Sequence, residues 1–425
     1  MEQVLCKRRK KGWLIVLISI VSLIFISIYG YYWMKVNVPS EIKLMLGQEE
    51  SFDFSVPMEA SVFGEEATGV LYVNQEPLEE GVIEIDLQKP FSVSSESLGQ
   101  YEVLLKLFGL IPIKEISVEV IEEPEVIPGG DVIGLQIETE GILVLGTGTV
   151  TLKDGTSAEP AKGRLFSGDY IIGINGKTGI SRQDLLNAIN STVIELLVNR
   201  AGKEIKVSIQ PVQDYSGKYK LGAWIRTDAQ GIGTITYITG NGKFGALGHG
   251  ITDVDTGLMM EVGSGKLFDA EVLSVVKGKN GIPGEIIGII RQSGISQIGE
   301  IDENCNKGIY GHIKLGMVDA SKTVPVALKQ DIELGEATIL CQVDSEVREY
   351  KIEIERIELG RTNDNKGLVI HITDEELLKK TGGIVQGMSG SPILQNGKLI
   401  GAVTHVLVND PTRGYGIFIE NMLEH

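Results

Sequence analysis

The chain has 425 residues, with 39 Lys and Arg against 57 Asp and Glu for a formal balance of −18, and 42% of its residues are apolar. That composition excludes a disordered tail, a collagen-like repeat and a protein that coats nucleic acid, and the length predicts two to four domains at about 100 to 200 residues each. The 53 glycines and only 6% aromatics, against a usual glycine content of roughly 7%, favour turn-rich β structure over a helical bundle.

In chain order, the first feature is Trp13 to Trp33, which carries no charge and is apolar at 17 of 21 positions. As a helix it would be about 31 Å long, enough for a bilayer core. Lys7-Arg8-Arg9-Lys10-Lys11 precedes it. Positive charge stays on the cytoplasmic side, so the sequence predicts a basic tail over 1–12, a signal anchor over 13–34 that contacts the lipid bilayer, and everything beyond it outside the cytoplasm. A cleaved signal peptide fits less well, because its apolar run is about 7 to 15 residues long and ends at a small-residue site. Without Glu2 and those five basic residues the remainder carries 34 − 56 = −22. So acidic a surface repels nucleic acid and anionic head groups.

Residues 38–124 alternate apolar and polar positions in short runs such as Val82-Ile-Glu-Ile-Asp86 and Ile116-Ser-Val-Glu-Val-Ile121, which predicts a small β domain. It carries no chemical motif and reads as a spacer or interaction module. Within 127–212, Gly168 to Lys177 places an apolar strand before Asn175-Gly176, a tight-turn signal, and Ser181 precedes a helix bearing Leu185, Leu186 and Ile189, with Asp184 in its first turn. A strand over Glu204 to Ile209 closes the unit. The segment resembles a bacterial PDZ domain, an α+β fold in which a peptide adds as a strand beside a glycine-containing loop. By that resemblance the peptide-binding edge is Ile133-Gly134-Leu135-Gln136-Ile137, and its partner is a peptide terminus, with this chain itself a possible source.

The strongest chemical signal is Gly387-Met388-Ser389-Gly390-Ser391-Pro392, within 215–425. A serine hydroxyl is a poor nucleophile at neutral pH and needs a base for its proton and donors for the developing oxyanion. The glycine two positions before Ser389 lets the amides of Gly387 and Ser389 point into one hole, as the G-x-S-G-x-P pattern does in chymotrypsin-like serine proteases. A strand, the turn Gln395-Asn396-Gly397 and a second strand follow. By the same resemblance Thr404, fifteen residues after Ser389, begins the segment Thr404-His405-Val406 that pairs with substrate, and Gly414 to Ile419 is the penultimate strand of a double β-barrel.

Five histidines are present. His425 is terminal, His405 lies in the substrate strand, and His312 and His371 sit in alternating strand-like runs. His249, in the small-residue turn Phe244 to Gly250, is therefore the general base. An aspartate on the other imidazole nitrogen would fix the tautomer, and spacing leaves Asp253, Asp255, Asp319, Asp344 and Asp374 open. Cys6, Cys305 and Cys341 form no C-x-x-C pair, so no metal centre is expected, and at most one bridge, Cys305 to Cys341, can form.

The motifs Leu221-Gly-Ala-Trp-Ile-Arg226, Gly231-Ile-Gly-Thr234, Phe244 to Gly250, Thr381 to Pro392 and Gly401 to Val406 together resemble the sporulation stage IV B serine peptidase family of endospore formers. The resemblance implies a membrane-anchored serine endopeptidase without cofactor in the space between the two forespore membranes. There it would cleave a membrane-bound regulator and so release processing of a late sigma-factor precursor. It also assigns the triad acid to Asp374, fifteen residues before Ser389. The competing reading is a membrane-tethered PDZ scaffold whose protease-like half is only a platform. A metalloprotease lacks its H-E-x-x-H signature here.

Overall fold

The structure is a computed structural model, and it describes all residues except 1–16, 27, 33–39, 53–57, 64–70, 78–81, 108–109, 292–295, 315, 317–319 and 360–364. Helix is present over 17–26 and 28–32, with Leu23, Phe25 and Ile26 exposed. Among the described residues no helix is long and apolar enough to cross a membrane. The basic stretch Lys7 to Lys11 and the first residues of the expected anchor lie outside the described residues.

The chain divides into two compact units, one made mostly of Met1–Pro124 and the other running from Glu125. In the first, period-two alternation gives a five-stranded sheet from Glu41–Met45, Ile111–Ile121, Gly99–Leu107, Met58–Phe63 and Val82–Asp86, and a four-stranded sheet from Glu50–Phe52, Phe91–Ser95, Leu71–Val73 and Glu76–Pro77. Apolar residues from both sheets, including Leu44, Leu71, Val93, Tyr101 and Val118, make one buried cluster.

The second unit holds two six-stranded barrels. In one, the 16-residue strand Val132–Thr147 pairs with both Ala223–Ile238 and Val262–Val276, and the ring closes through Gln297–Cys305, Gly308–Ile313 and Lys243–Ala246. Ile133, Leu135, Ile137, Phe244, Leu267 and Ile309 fill it. The other barrel closes through Gly335–Gln342, Val347–Ile357, Leu368–Ile372, Asp410–Phe418, Lys398–Leu407 and Pro392–Gln395. The molecule is thus mainly β with a double barrel.

In sequence between Val132–Thr147 and Ala223–Ile238, two paired strands of the first barrel, lies an α+β module. Asn175 (φ 46°) and Gly176 (φ 83°) make the expected tight turn after Tyr170–Ile174. The helix Arg182–Ala188 starts at a capping box in which Ser181 and Asp184 satisfy each other's backbone amides. Leu185 is buried beneath it, but Leu186 points outward and is 47% exposed. Ile194–Arg200 and Lys203–Ile209 complete the sheet.

One expectation is overturned here. Ile133 pairs with Gly233 on one side and Asp269 on the other, and the double pairing continues to Ile137, opposite Ala229 and Gly265. Ile133, Gly134, Leu135, Gln136 and Ile137 are therefore an interior strand of the first barrel. Their ladder groups are already used, so no peptide strand can add there. Only the far part of the same strand, at Ile142 and Leu143, joins the α+β module. The two parts meet at a register shift containing Gly141, whose φ of +95° suits glycine.

Candidate active site

Ser389 and His249 come from different barrels and line one open cleft of about 640 Å³, with Gly387, Thr404, His405 and Val406 around them. His249 follows the strand Lys243–Ala246 through two residues of positive φ, Leu247 (68°) and Gly248 (67°). A leucine in that region costs about 1–2 kcal/mol. Burial of the Leu247 side chain in the barrel core offsets it. This strained corner turns the backbone so that the imidazole faces the second barrel, where its ring centroid is 4.9 Å from that of His405.

The imidazole Nδ1 lies 3.0 Å from the Gly250 carbonyl oxygen. A carbonyl only accepts, so Nδ1 carries the proton and Nε2 keeps a lone pair, the tautomer a general base requires. Burial pulls the His249 pKa below its ordinary value, and the Gly250 hydrogen bond opposes the shift in part. The ring is therefore neutral at neutral pH.

On the other side Gly387 (φ +99°) and Gly390 (φ +96°) flank Ser389. A Cβ at Gly390 would sit 2.1 Å from the Thr234 carbonyl oxygen and 2.5 Å from the Leu247 amide, so no side chain fits there. Among the described residues the amides of Gly387 and Ser389 donate to no protein acceptor, which leaves both for an oxyanion. The Ser389 hydroxyl donates to the Thr404 carbonyl at 2.8 Å. It must rotate off that carbonyl before it can give its proton to the imidazole.

Asp374 does not reach this site. It is the N-cap of the helix Glu375–Thr381, and its two carboxylate oxygens accept from the Leu377 amide at 3.0 Å and the Lys351 amide at 3.3 Å. The first turn of a helix leaves amides without intrahelical partners, and an acidic cap fills that need. The pattern Asp374-Glu375-Glu376 before a short amphipathic run is a readable helix-start signal. The remaining candidates are also committed elsewhere. Asp253 and Asp255 both pair with Arg226, and Asp344 bonds Lys380 at 2.8 Å. Asp319 lies outside the described residues. His312 and His371 face Asp302 and Glu355 on the barrel surfaces. Cys305 and Cys341 are free thiols.

Two residues that sequence reasoning passed over hold the halves together. The Thr234 hydroxyl donates to the Gly387 carbonyl at 2.7 Å. Its amide donates to Ser389 O at 3.0 Å, and its carbonyl accepts from Leu247 at 3.2 Å. Two residues on, the Thr236 hydroxyl donates to Gly390 O at 2.8 Å. Both threonines are fully buried. The signal was present in Gly231-Ile-Gly-Thr-Ile-Thr236, a strand segment with two hydroxyls where barrel packing calls for apolar side chains.

A double barrel with serine, histidine and two free amides in the cleft between its halves defines a peptidase-like fold and site. Residues 217–423 match the family model described as SpoIVB peptidase S55, and the carboxyl-terminal half of the chain belongs to that peptidase family. No curated protein matches the chain. Among solved structures, the PDZ domain of an SdrC-like protein from Listeria innocua is 24% identical, covering 19% of this chain and 93% of its own, with a TM-score of 0.15. The inactive form of the Rv3671c protease is 12% identical over 45% of this chain and 81% of its own, with a TM-score of 0.24. The HtrA-type protease AlgW with a decapeptide is 11% identical over 69% of this chain and 62% of its own, with a TM-score of 0.27.

Proposed function

We propose that this protein is a serine endopeptidase in which Ser389 attacks the peptide carbonyl and His249 Nε2 takes the proton and returns it to the leaving amine. The amides of Gly387 and Ser389 bind the oxyanion. Gly250, through its carbonyl, takes the orienting role that an aspartate plays in a triad. The observation that carries this reading is the convergence of Ser389 and a correctly tautomerised His249 beside two uncommitted amides. Thr404, His405 and Val406 line the cleft on the side where a substrate strand would lie.

The sporulation role is part of the proposal, and the description of the matched family supports it. The substrate we propose is a membrane-bound protein whose cleavage signals across the forespore membranes to a late sigma factor. Residues 13–34 would anchor the enzyme with its catalytic unit outside the cytoplasm. The uncharged sequence after five basic residues supports that reading, as do the exposed apolar side chains Leu17, Leu23, Phe25 and Ile26.

The bond from Ser389 to Thr404 and the lack, among the described residues, of a carboxylate bonded to His249 favour one second reading, a tethered adaptor without turnover. A fluorophosphonate probe on the full-length chain in detergent separates the two. Labelling that disappears in Ser389→Ala and His249→Ala is expected. No labelling of the unaltered chain, or labelling that survives in Ser389→Ala, overturns the peptidase reading.

A further inference from the structure

Outside the cleft, the end of the strand Gln297–Cys305 carries a second group of ligand-bearing side chains. Cys305 Sγ lies 3.7 Å from His425 Nε2, and His425 Nδ1 lies 3.3 Å from a Glu303 carboxylate oxygen. One ligand atom from each of the three falls within 4.8 Å of the others. A tetrahedral ion bound at about 2.3 Å to a thiolate and about 2.0–2.1 Å to an imidazole holds those two atoms about 3.6 Å apart. The observed sulfur-to-nitrogen separation already matches this to within a tenth of an ångström or so.

The group is also built into the fold. The His425 ring stacks on Tyr310 at 4.6 Å and 20°, and its neighbour Glu424 pairs with Lys307. The preceding helix Ile419–Met422 is buried, and its Met422 carbonyl accepts from the Tyr237 hydroxyl at 3.0 Å.

We propose that Glu303, Cys305 and His425 bind a zinc-type divalent ion, with water in the fourth position, and that the ion tunes the active-site loop. Thiolate, imidazole and carboxylate together suit zinc and its neighbours, whereas magnesium and calcium take oxygen shells. On binding, the Cys305 thiol gives its proton to solvent and its sulfur lone pair to the metal.

The route to the active site is short. Asn304, between two of the ligands, accepts from the Ile251 amide at 2.7 Å and donates to the Ile251 and Met260 carbonyls at 2.9 Å each. Gly250 packs against the Cys305 carbonyl so closely that a Cβ would come within 2.7 Å of it. With Cys305 and His425 Nε2 already spaced for the ion, Glu303, now at Nδ1, must move onto it, and its movement pulls on the strand that carries Asn304 and so shifts the loop whose Gly250 carbonyl orients His249.

Cobalt(II) is the probe, added to the purified full-length chain in detergent with zinc as competitor. A thiolate-to-cobalt absorption band in the near ultraviolet, displaced by zinc, is expected. It should be lost in Cys305→Ala and in Cys305→Ser, kept in Cys6→Ala and Cys341→Ala, and need at least ten-fold more cobalt in His425→Ala. No band, or one that survives both Cys305 variants, overturns the site, as does an unchanged cobalt requirement in His425→Ala. Zinc should also change the fluorophosphonate labelling rate of the unaltered chain and leave that of Cys305→Ala unchanged. A zinc effect that persists in Cys305→Ala belongs to the His249 and His405 pair and overturns the coupling. The coupling rests on the peptidase reading, so a cobalt band without any labelling upholds the metal site and defeats that reading alone.

Discussion

The turns that carry Ser389 and His249 face the same cleft but are held in opposite ways. The serine turn is fixed from outside itself. Glycines at 387 and 390 let it bend, and Thr234 and Thr236 of the other barrel grip its carbonyls. The histidine turn is fixed within its own barrel, by a strained Leu247 whose amide bonds Thr234, by the Gly250 carbonyl at the ring and by Asn304 at Ile251. The nucleophile's geometry therefore depends on how the barrels meet, and the base's geometry depends on its own barrel.

The most severe way to break this arrangement is to remove either reacting group. Ser389→Ala and His249→Ala should each lower kcat by about 10⁴- to 10⁶-fold with little change in melting temperature, because nucleophile and base act as a unit. Turnover of a small peptide ester and a thermal melt check both halves of that statement. A smaller effect should come from the external grip on the serine turn. Thr234→Val keeps the side-chain shape but removes the bond to Gly387 O, and kcat should fall about 10- to 100-fold with KM nearly unchanged. Thr234→Ser, which keeps the hydroxyl, should recover most of that loss. Equal losses in both variants would mean that Thr234 acts by packing and not by its hydroxyl.

The histidine turn makes a prediction about pH. Burial depresses the His249 pKa, so the neutral base persists to lower pH than in a free imidazole. The acid limb of kcat/KM should then have its midpoint below 6.5, the ordinary value. A carboxylate against Nδ1 would stabilise the imidazolium and push the midpoint the other way. A midpoint near 7 or above would show that some acid reaches the ring during turnover, and the contrast between the two turns would weaken.

Legibility in the sequence follows the same division. Ser389, its glycines and the Asn396-Gly397 hairpin were readable because a handful of neighbouring residues dictates the backbone there. The Ser181 capping box and the Asn175-Gly176 turn were readable for the same reason. The edge at Ile133 to Ile137 was misread because alternation gives a strand but not its neighbours, and here residues about 100 and 135 positions later cover both sides. Cys305 and His425 are 120 positions apart, so no local spacing could have joined them. Period-two alternation cannot report a closing barrel, and motif resemblance carries roles without distances.

Asp374 gives the smallest expected effect and the sharpest division between motif and geometry. As the orienting acid of a triad, its change to Asn would lower kcat by about 10⁴-fold through the wrong imidazole tautomer. As a helix cap, the same change should leave kcat within about two-fold. Asn caps a helix as well as Asp does, and among the described residues the long bond from the Lys351 amide is the one side-chain contact that an amide nitrogen cannot replace. A stability loss of no more than about 1 kcal/mol is expected on that account. Asp374→Ala, which removes the cap as well, should cost roughly 1 kcal/mol more and still leave turnover intact. Urea melts and kcat measured on the same two variants therefore separate a residue that holds the helix Glu375–Thr381 from one that orients His249.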